Sequence, residues 1–362
     1  MIRITFVAII MCCIMIATSC KKPNDTIVEK CDTETHRETK SVYYWKTVFQ
    51  LDSTELDFIK NHDIGRIYLR MFDVVNDNYA VSPEDEAYPT ATVRIDNDQY
   101  YLLGNILNTI EIVPVVYITL DALRAMRGNE DILAKNIVTR VRNMAEYNDL
   151  PNVEEFQLDC DWTESTKGAY FTLCKAVRSN LNKLDLAWKL SSTIRFHQLS
   201  GDVPPVDRGV LMVYNTGSFN DPDTRNSIID INDIKPYLKR LPSYPLHLDI
   251  AYPTYSWQLL FRKRKFIGLT NGLEIRDISK FSHNEQGLYV AKQDIPHHGK
   301  IIKSGDMVRS EISEYAEIKA VKDRIDKLLS DKPHSNIIYH LDIRNLSNYS
   351  HDEIRNILSV ND

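Results

Sequence analysis

From about Ser41 onward, the chain alternates between short apolar runs and amphipathic helical stretches, and this alternation constrains the fold more than any other feature. Short apolar runs bounded by turn residues predict β-strands. Eight runs of this kind occur, at 42–49, 66–73, 112–120, 156–164, 186–196, 209–214, 246–252 and 337–341. The chain therefore offers enough strands for one large sheet.

Amphipathic stretches separate most of these strands. One of them, 131–147, carries Ile132, Ile137 and Val141 at helical spacing. Further helices are predicted after a cap at Ser53 and Thr54, and at 100–110, 165–181, 231–238, 312–329 and 352–358. Strands that alternate with helices imply a parallel sheet, and eight such units in ~300 residues predict a closed (β/α)8 barrel, the TIM barrel. The alternative is an open doubly wound sheet, but no glycine-rich phosphate turn follows the first strand.

One long segment, 265–308, breaks the rhythm of strands and helices. Its glycines and β-type runs predict an inserted excursion between strands seven and eight. The 362 residues contain 43% hydrophobic and 26% charged residues, which is typical of a globular protein. The net charge of −6, with acids and bases interspersed, argues against a nucleic-acid partner, which would require a basic face.

The N-terminus has the pattern of a targeting segment. Arg3 precedes an apolar run, 4–16, that is too short to span a membrane. The run ends in Ala17-Thr18-Ser19-Cys20, which resembles the lipobox of bacterial lipoproteins, where the cysteine is lipidated. An ordinary signal peptide with an incidental cysteine is the alternative. We expect a signal peptide at 1–19, lipidated Cys20 with a tether at 20–40, and one barrel domain at 41–362, held at the outer membrane of a Gram-negative bacterium.

The segment 156–164 is the most informative strand. Because strand side chains alternate, Phe156, Leu158 and Cys160 should face the covering helices, whereas Gln157, Asp159 and Asp161 should face the barrel interior. Carboxylates on an inner face cost several kcal/mol unless they are paired or hydrated, and such groups cluster at functional sites. The alternative is a structural hydrogen-bond network at the end of a strand.

Barrel enzymes place their sites at the C-terminal ends of the strands. Those ends are rich in acids, arginines and aromatic residues here: Arg70, Asp73, Tyr117, Thr119, Asp121, Asp159, Asp161, Glu164, Thr193, Arg195, His197, Tyr214, Asn215, Asp249, Tyr252, Tyr255, Trp257, His340, Asp342 and Arg344. Aromatic faces stack on sugar rings, and charged groups bond hydroxyls, so the set suits an oligo- or polysaccharide. Substrate-binding candidates are Arg70, Tyr117, Arg195, Tyr214, Asn215, Asp249, Tyr252 and Tyr255, although some of them could form structural ion pairs.

No metal site or cofactor is expected. Cys160 and Cys174 lie on apolar faces and are predicted to be small core residues, and no cysteine spacing suggests zinc. His283, His297 and His298 lie in the insertion without a nearby acid cluster, so they are predicted to be exposed loop histidines.

At strands four and six the chain resembles the family 18 glycoside hydrolases, the chitinase-like barrels. Their signatures are D-x-x-D-x-D-x-E on strand four and M-x-Y-[DN] on strand six. Here strand four has Asp159-x-Asp161, and strand six has Met212-Val213-Tyr214-Asn215. The phrase Gln157-Leu158-Asp159-Cys160-Asp161 also resembles an uncharacterised bacterial barrel family with a QLDxD strand.

The resemblance implies a mechanism with one departure. In family 18 a glutamate protonates the glycosidic oxygen, and an aspartate and a tyrosine position the acetamido group that attacks the anomeric carbon. Asp161 and Tyr214 match the latter two, but Thr163 stands where the family has the glutamate, and Phe156 where it has its first aspartate. Glu164 comes one residue late, which reverses its direction on a strand unless the loop turns it inward.

Two functions follow from this pattern. The first is a glycoside hydrolase with Glu164 or Asp161 as the acid, Asp159 or Asp249 as its partner, Tyr214 and Tyr252 orienting the sugar and Arg195 binding it. The second is a non-catalytic, surface glycan-binding lipoprotein on a barrel that lacks the acid. A structural or assembly lipoprotein has no positive feature in the sequence.

Overall fold

The computed structural model describes residues 39–82, 85–95, 109–150, 152–284 and 287–360. Residues Arg37–Asp362 form one compact unit. The predicted signal peptide, Cys20 and almost all of the tether lie outside the described residues, as does most of the helix predicted at 100–110. Within the described residues, no helix is both long enough and apolar enough to cross a membrane.

The strands are numbered here in chain order. They are β1 (Ser41–Tyr44), β2 (Val48–Phe49), β3 (Arg66–Asn76), β4 (Ala87–Thr90), β5 (Arg94–Ile95), β6 (Glu111–Ile118), β7 (Glu155–Asp159), β8 (Lys189–Ile194), β9 (Arg208–Met212), β10 (Leu248–Pro253), β11 (Ser256–Arg262), β12 (Lys265–Thr270), β13 (Phe281–His283), β14 (Tyr289–Ala291), β15 (Ile295–His297), β16 (Lys300–Ile302), β17 (Met307–Ile312) and β18 (Asn336–Tyr339).

Eight parallel strands close into a barrel. Their order is β1–β18–β10–β9–β8–β7–β6–β3, and β3 pairs again with β1, from Ser41 with Arg66 to Tyr44 with Leu69. The predicted (β/α)8 barrel is therefore confirmed. We call the C-terminal ends of these strands the rim and their N-terminal ends the bottom.

Helices cover the outside of the barrel. They are α1 (Ser53–Asn61), α2 (Leu120–Ala125), α3 (Glu130–Tyr147), α4 (Lys167–Lys183), α5 (Ile231–Leu238), α6 (Tyr315–Leu328), α7 (Ile343–Leu346) and α8 (His351–Leu358). A capping box of Asp52 and Glu55 starts α1, one residue before the predicted cap. A 3₁₀ turn, Phe196–Ser200, follows β8 in place of a longer helix.

The first predicted strand, 42–49, is two strands in the structure. β1 ends at Tyr44, and β2 pairs with β5 outside the barrel. The Tyr44 hydroxyl donates to the carbonyl oxygen of Val48 at 2.8 Å, which holds the turned chain against the barrel. Trp45, between the two strands, is thereby left near the rim.

The insertion between β10 and β18 starts earlier than predicted, because β11 follows directly after β10. Its sheet has the order β12–β11–β17–β14–β13. Leu260, Phe281, Ile302 and Val308 belong to a small hydrophobic core of its own. The insertion is therefore a second, smaller packing layer beside the rim.

The bottom of the barrel holds a buried layer of charges. Arg66 contacts Glu111, and Arg208 contacts Glu155, both at 2.7 Å. Asp249, which is fully buried, accepts a hydrogen bond from the backbone N–H of Ser335 at 2.8 Å. Burial alone would raise the pKa of Asp249, but its hydrogen bond with His247 and the neighbouring charges lower it.

This position corrects the prediction that Asp249 lies on the rim. Asp249 is the second residue of β10, so its side chain lies one full strand length from the rim. Tyr252 also differs from the prediction. It has the opposite strand parity to Asp249, it is fully buried, and Asp326 of α6 acts on its hydroxyl, so it points outward under that helix.

Replacing Asp249 by Asn should destabilise the protein without changing the structure of the rim. The substitution removes one carboxylate from a buried ion cluster, and such changes cost about 3–5 kcal/mol in the free energy of unfolding. Urea unfolding at pH 7 measures the loss, with Asp121→Asn on the exposed surface as the matched control. An Asp249→Asn variant as stable as the control would contradict the structural role.

Candidate functional site

The guanidinium of Arg195 binds two aspartates, Asp159 at the end of β7 and Asp161 two residues later. The Asp159 carboxylate accepts hydrogen bonds from Thr193 Oγ1 at 2.6 Å and from Arg195 Nη2 at 3.2 Å. Arg195 Nε donates to Asp161. Both aspartates therefore face the barrel interior, which is the orientation that strand alternation predicts.

The two carboxylates differ in exposure. Asp159 is 3% exposed, and burial raises its pKa, while the charge of Arg195 acts in the opposite direction. The side chain of Asp161 is 46% exposed and opens toward solvent. Asp159 is thus a buried support, and Asp161 is the carboxylate that a ligand can reach.

Local structure fixes Arg195. Its backbone N–H donates to Gln198 Oε1 at 2.8 Å, and Gln198 Nε2 donates to the Trp162 carbonyl at 2.9 Å. The side chain of Gln198 therefore ties the ends of β7 and β8 together. Gln157 lies deeper in the barrel, two residues before Asp159. It accepts a hydrogen bond from the Tyr43 hydroxyl at 2.7 Å and donates one to Ser191, so its role is structural.

Glu164 does not lie in the site. Its carboxylate contacts Lys167 Nζ at 2.6 Å, and its side chain is 80% exposed. Thr163 also has a local role, because its N–H donates to Thr166 Oγ1 at the start of α4. Neither residue places a carboxyl group among Asp161, Arg195 and Tyr214.

Aromatic rings line the mouth of the barrel beside the aspartates. The rings of Tyr214 and Tyr339 lie 4.5 Å apart, and Tyr339 lies 5.7 Å from Trp45. The Arg195 guanidinium lies 5.5 Å from the centre of the Tyr214 ring. Burial, followed by the charges of Asp161 and Asp159, raises the pKa of Tyr117. These tyrosines therefore act as neutral hydroxyls and stacking faces.

The insertion supplies one wall of the site. The Tyr255 hydroxyl donates to Asn215 Oδ1 at 2.9 Å, and the Tyr255 ring lies 5.5 Å from that of Trp257. Trp257 Nε1 donates to Glu311 Oε2, which also accepts from the Ser227 hydroxyl at 2.6 Å. Glu311 therefore fastens the insertion to the loop after β9.

Arg70 forms an ion pair with Asp73 of the same strand, β3. Its Nε donates to Asp73 at 2.8 Å, and its guanidinium lies 5.4 Å from the centre of the Trp45 ring. Arg70 can present Trp45 to a ligand, but its own charge is already neutralised by Asp73.

A cavity of about 300 Å³ opens between the 3₁₀ turn after β8 and helix α5. We call it the rim cavity. It is lined by Asp161, Arg195, Phe196, His197, Met212, Tyr214, Asn215, Thr216, Asp233, Ile234 and Tyr237. Among the described residues, no group of three or more histidines, cysteines or acids is placed to hold a metal ion.

The structure brings together part of the predicted set. Asp159, Asp161, Arg195, Tyr214 and Asn215 share one site with Tyr255 at its edge, and Tyr117 borders the aspartates. Glu164 points to solvent, and Asp249 and Tyr252 lie elsewhere. Sequence reasoning missed Trp45 and Tyr339. Tyr339 could have been found, because it is the aromatic residue at the end of the eighth strand.

No family model matches the sequence, and no curated protein matches it. Among solved structures, the chain is similar to a family 18 N-acetylglucosaminidase from Paenibacillus barengoltzii, with a TM-score of 0.50 and 10% identity over 89% of this chain and 100% of that chain. It is also similar to human YKL-39, a pseudo-chitinase with retained chitooligosaccharide binding, with a TM-score of 0.51 and 7% identity over 89% and 98%. These are chitinase-like TIM barrels at low sequence identity, and the likeness concerns the fold.

Replacing Arg195 by Met should destabilise the protein in a pH-dependent way. The loss should reach about 3–5 kcal/mol at pH 7.5, because the change leaves Asp159 buried without a counter-charge. Burial raises the folded pKa of Asp159 above its unfolded value of about 3.9, so the cost grows as pH rises from there and is smaller at pH 4.5.

Urea unfolding of wild type and Arg195→Met at both pH values measures this difference. Arg195→Lys is the matched control, since it keeps a positive charge and should lose less. An equal loss at pH 4.5 and pH 7.5 would show that Asp159 is not the group left uncompensated.

Proposed function

We propose that this protein binds an oligosaccharide at the rim of its barrel without hydrolysing it. The observation that carries the proposal is that neither acid predicted from the sequence to protonate a glycosidic oxygen, Glu164 or Asp161, lies unpaired in the site. Thr163 stands in the acid's place, Glu164 pairs with Lys167 in solvent, and Asp161 pairs with Arg195. In most glycoside hydrolases a carboxylic acid protonates the glycosidic oxygen.

The remaining groups suit binding. Tyr214, Tyr339 and Trp45 offer ring faces, Asp161 offers an acceptor, and Asn215 has its amide oxygen engaged by Tyr255, which leaves its N–H donors for a ligand. Sugars are bound by stacking together with a few oriented polar groups. The likeness to YKL-39, a pseudo-chitinase that retains chitooligosaccharide binding, supports the same division between binding and catalysis.

The runner-up function is a glycoside hydrolase. It is favoured by two carboxyl groups in one site whose surroundings differ, since burial raises the pKa of Asp159. Against it, Asp159 is almost inaccessible and is bonded to both Thr193 and Arg195.

We also propose that Cys20 anchors the chain to the outer membrane. The described chain starts at the bottom of the barrel, where the Thr39 N–H donates to Ser335 Oγ at 3.1 Å and the Gly65 N–H donates to the Lys40 carbonyl at 2.9 Å. The chain therefore enters the barrel at the end opposite to the rim.

A panel of hexasaccharides tests the binding proposal. Isothermal titration calorimetry with neutral, N-acetylated, cationic and acidic hexamers should detect binding of at least one, and mass spectrometry after long incubation should find no cleavage. Asp161→Asn and Tyr214→Ala should each weaken binding by about tenfold or more, which equals about 1.4 kcal/mol.

Glu164→Gln is the matched control, because it changes a carboxylate of the same loop that points away from the site. It should bind as the wild type does. Cleavage that is lost in Asp161→Asn and kept in Glu164→Gln would establish the hydrolase instead, and a wild type that binds no hexamer would refute the proposal.

Cys20→Ala should move the protein from the membrane fraction to the soluble fraction after cell lysis, because stable anchoring of such a chain requires its lipid. Immunoblotting of the two fractions measures the shift, and Cys31→Ala in the same segment is the control. An unchanged distribution of Cys20→Ala would reject the anchor.

A further inference from the structure

We infer that the rim cavity accepts a sugar that carries a free, protonated amine. This inference rests on the proposed function and names the class of sugar that the same site prefers. It follows from the charges that line the rim cavity, which are not balanced.

Two carboxylates line the rim cavity, Asp161 and Asp233. The guanidinium in the cavity, that of Arg195, is shared between Asp161 and the buried Asp159. The lining therefore carries more negative than positive charge. A ligand cation would restore the balance, whereas a ligand carboxylate would be repelled.

Asp233 is the carboxylate without a counter-ion. Among the described residues no ion pair is formed by Asp233, and Arg225, which acts on it from a distance, is bound by Asp230 at 2.7 Å and by Glu317 at 3.0 Å. Burial and the charge of Asp230 raise the pKa of Asp233, as expected for a carboxylate whose ionised form lacks full compensation.

The backbone holds Asp233 in place. It lies in the first turn of α5, which the Asp230 side chain caps through the N–H of Asn232 at 2.9 Å. A Cβ atom at Gly217 would come within 2.9 Å of Asp233 Oδ2, so the glycine allows the loop after β9 to lie directly against this carboxylate. The loop after β9 and a hydrogen bond with the Thr216 side chain therefore restrain the carboxylate.

The shape of the rim cavity indicates one sugar ring. Its volume of about 300 Å³ is at the small end of the range for ligand pockets, about 300–1,000 Å³. Tyr214 and Tyr237 give it aromatic sides, which favour a ring over a small inorganic cation. An ammonium group on that ring would lie between the carboxylates of Asp161 and Asp233.

Three hexasaccharides test the inference on the full-length protein. These are the hexamers of glucosamine, N-acetylglucosamine and galacturonic acid, compared by calorimetry at pH 6, where the free amine is protonated. The glucosamine hexamer should bind about tenfold or more tightly than its N-acetylated counterpart. Its affinity should fall with added salt, and the galacturonate hexamer should bind least.

Asp233→Asn keeps the shape of the side chain and removes its charge, so it should reduce the preference for glucosamine to about threefold or less. Its binding of the N-acetylated hexamer should change little. Asp223→Asn is the matched control, since Asp223 lies in the loop before α5 and pairs with Arg264 outside the rim cavity. Circular dichroism and thermal unfolding check that both variants fold.

The outcomes separate the two proposals. A preference for glucosamine that Asp233→Asn abolishes and Asp223→Asn keeps supports the inference. Equal or tighter binding of the N-acetylated hexamer by the wild type overturns it while leaving the proposed function intact. If the protein binds none of the three hexamers and no neutral hexamer, both proposals are overturned.

Discussion

The ion bridge of Arg195 with Asp159 and Asp161 is the interaction on which the rest of the site depends. Asp159 is buried, and a buried carboxylate without a counter-charge costs several kcal/mol. Arg195 supplies that charge and, through Nε, also holds Asp161 at the mouth of the barrel. One guanidinium therefore holds the ends of β7 and β8 together and positions the carboxylate that faces solvent.

The two ends of the barrel use charge differently. At the bottom, arginines and acids alternate around the strand ends in a closed set, with Arg66 on Glu111, Arg208 on Glu155 and Asp249 beside both arginines. Two of the acids of this layer, Glu155 and Asp249, are fully buried. At the rim, Asp161 is nearly half exposed and shares its cation, so its charge is only partly compensated. A partly compensated charge at an open end can be balanced by a group of opposite charge on a ligand.

The fold could be predicted from the sequence because eight repeats of one pattern each point to the same barrel. The alternation of side chains along a strand correctly predicted that Asp159 and Asp161 of the fourth strand point inward, where the structure places them beside Arg195. The errors at Asp249 and Tyr252 have two different causes, one the height along the strand and the other the face of the strand. Asp249 is inward but at the wrong end, and Tyr252 is at the right end but outward. Parity and height are both needed to place a side chain, and the sequence constrains parity more strongly.

The direction of Glu164, the acid expected after the fourth strand, could not be predicted from the sequence. Sequence alone left open whether Glu164 turns inward past the end of the strand. In the structure Lys167, one helical turn further on, binds its carboxylate, and Thr163 and Thr166 bond each other to start α4. The local interactions of a helix start therefore decide the direction of Glu164. Glu164 is thus kept outside the site that Asp161 and Arg195 form, by contacts that lie beyond the end of the strand.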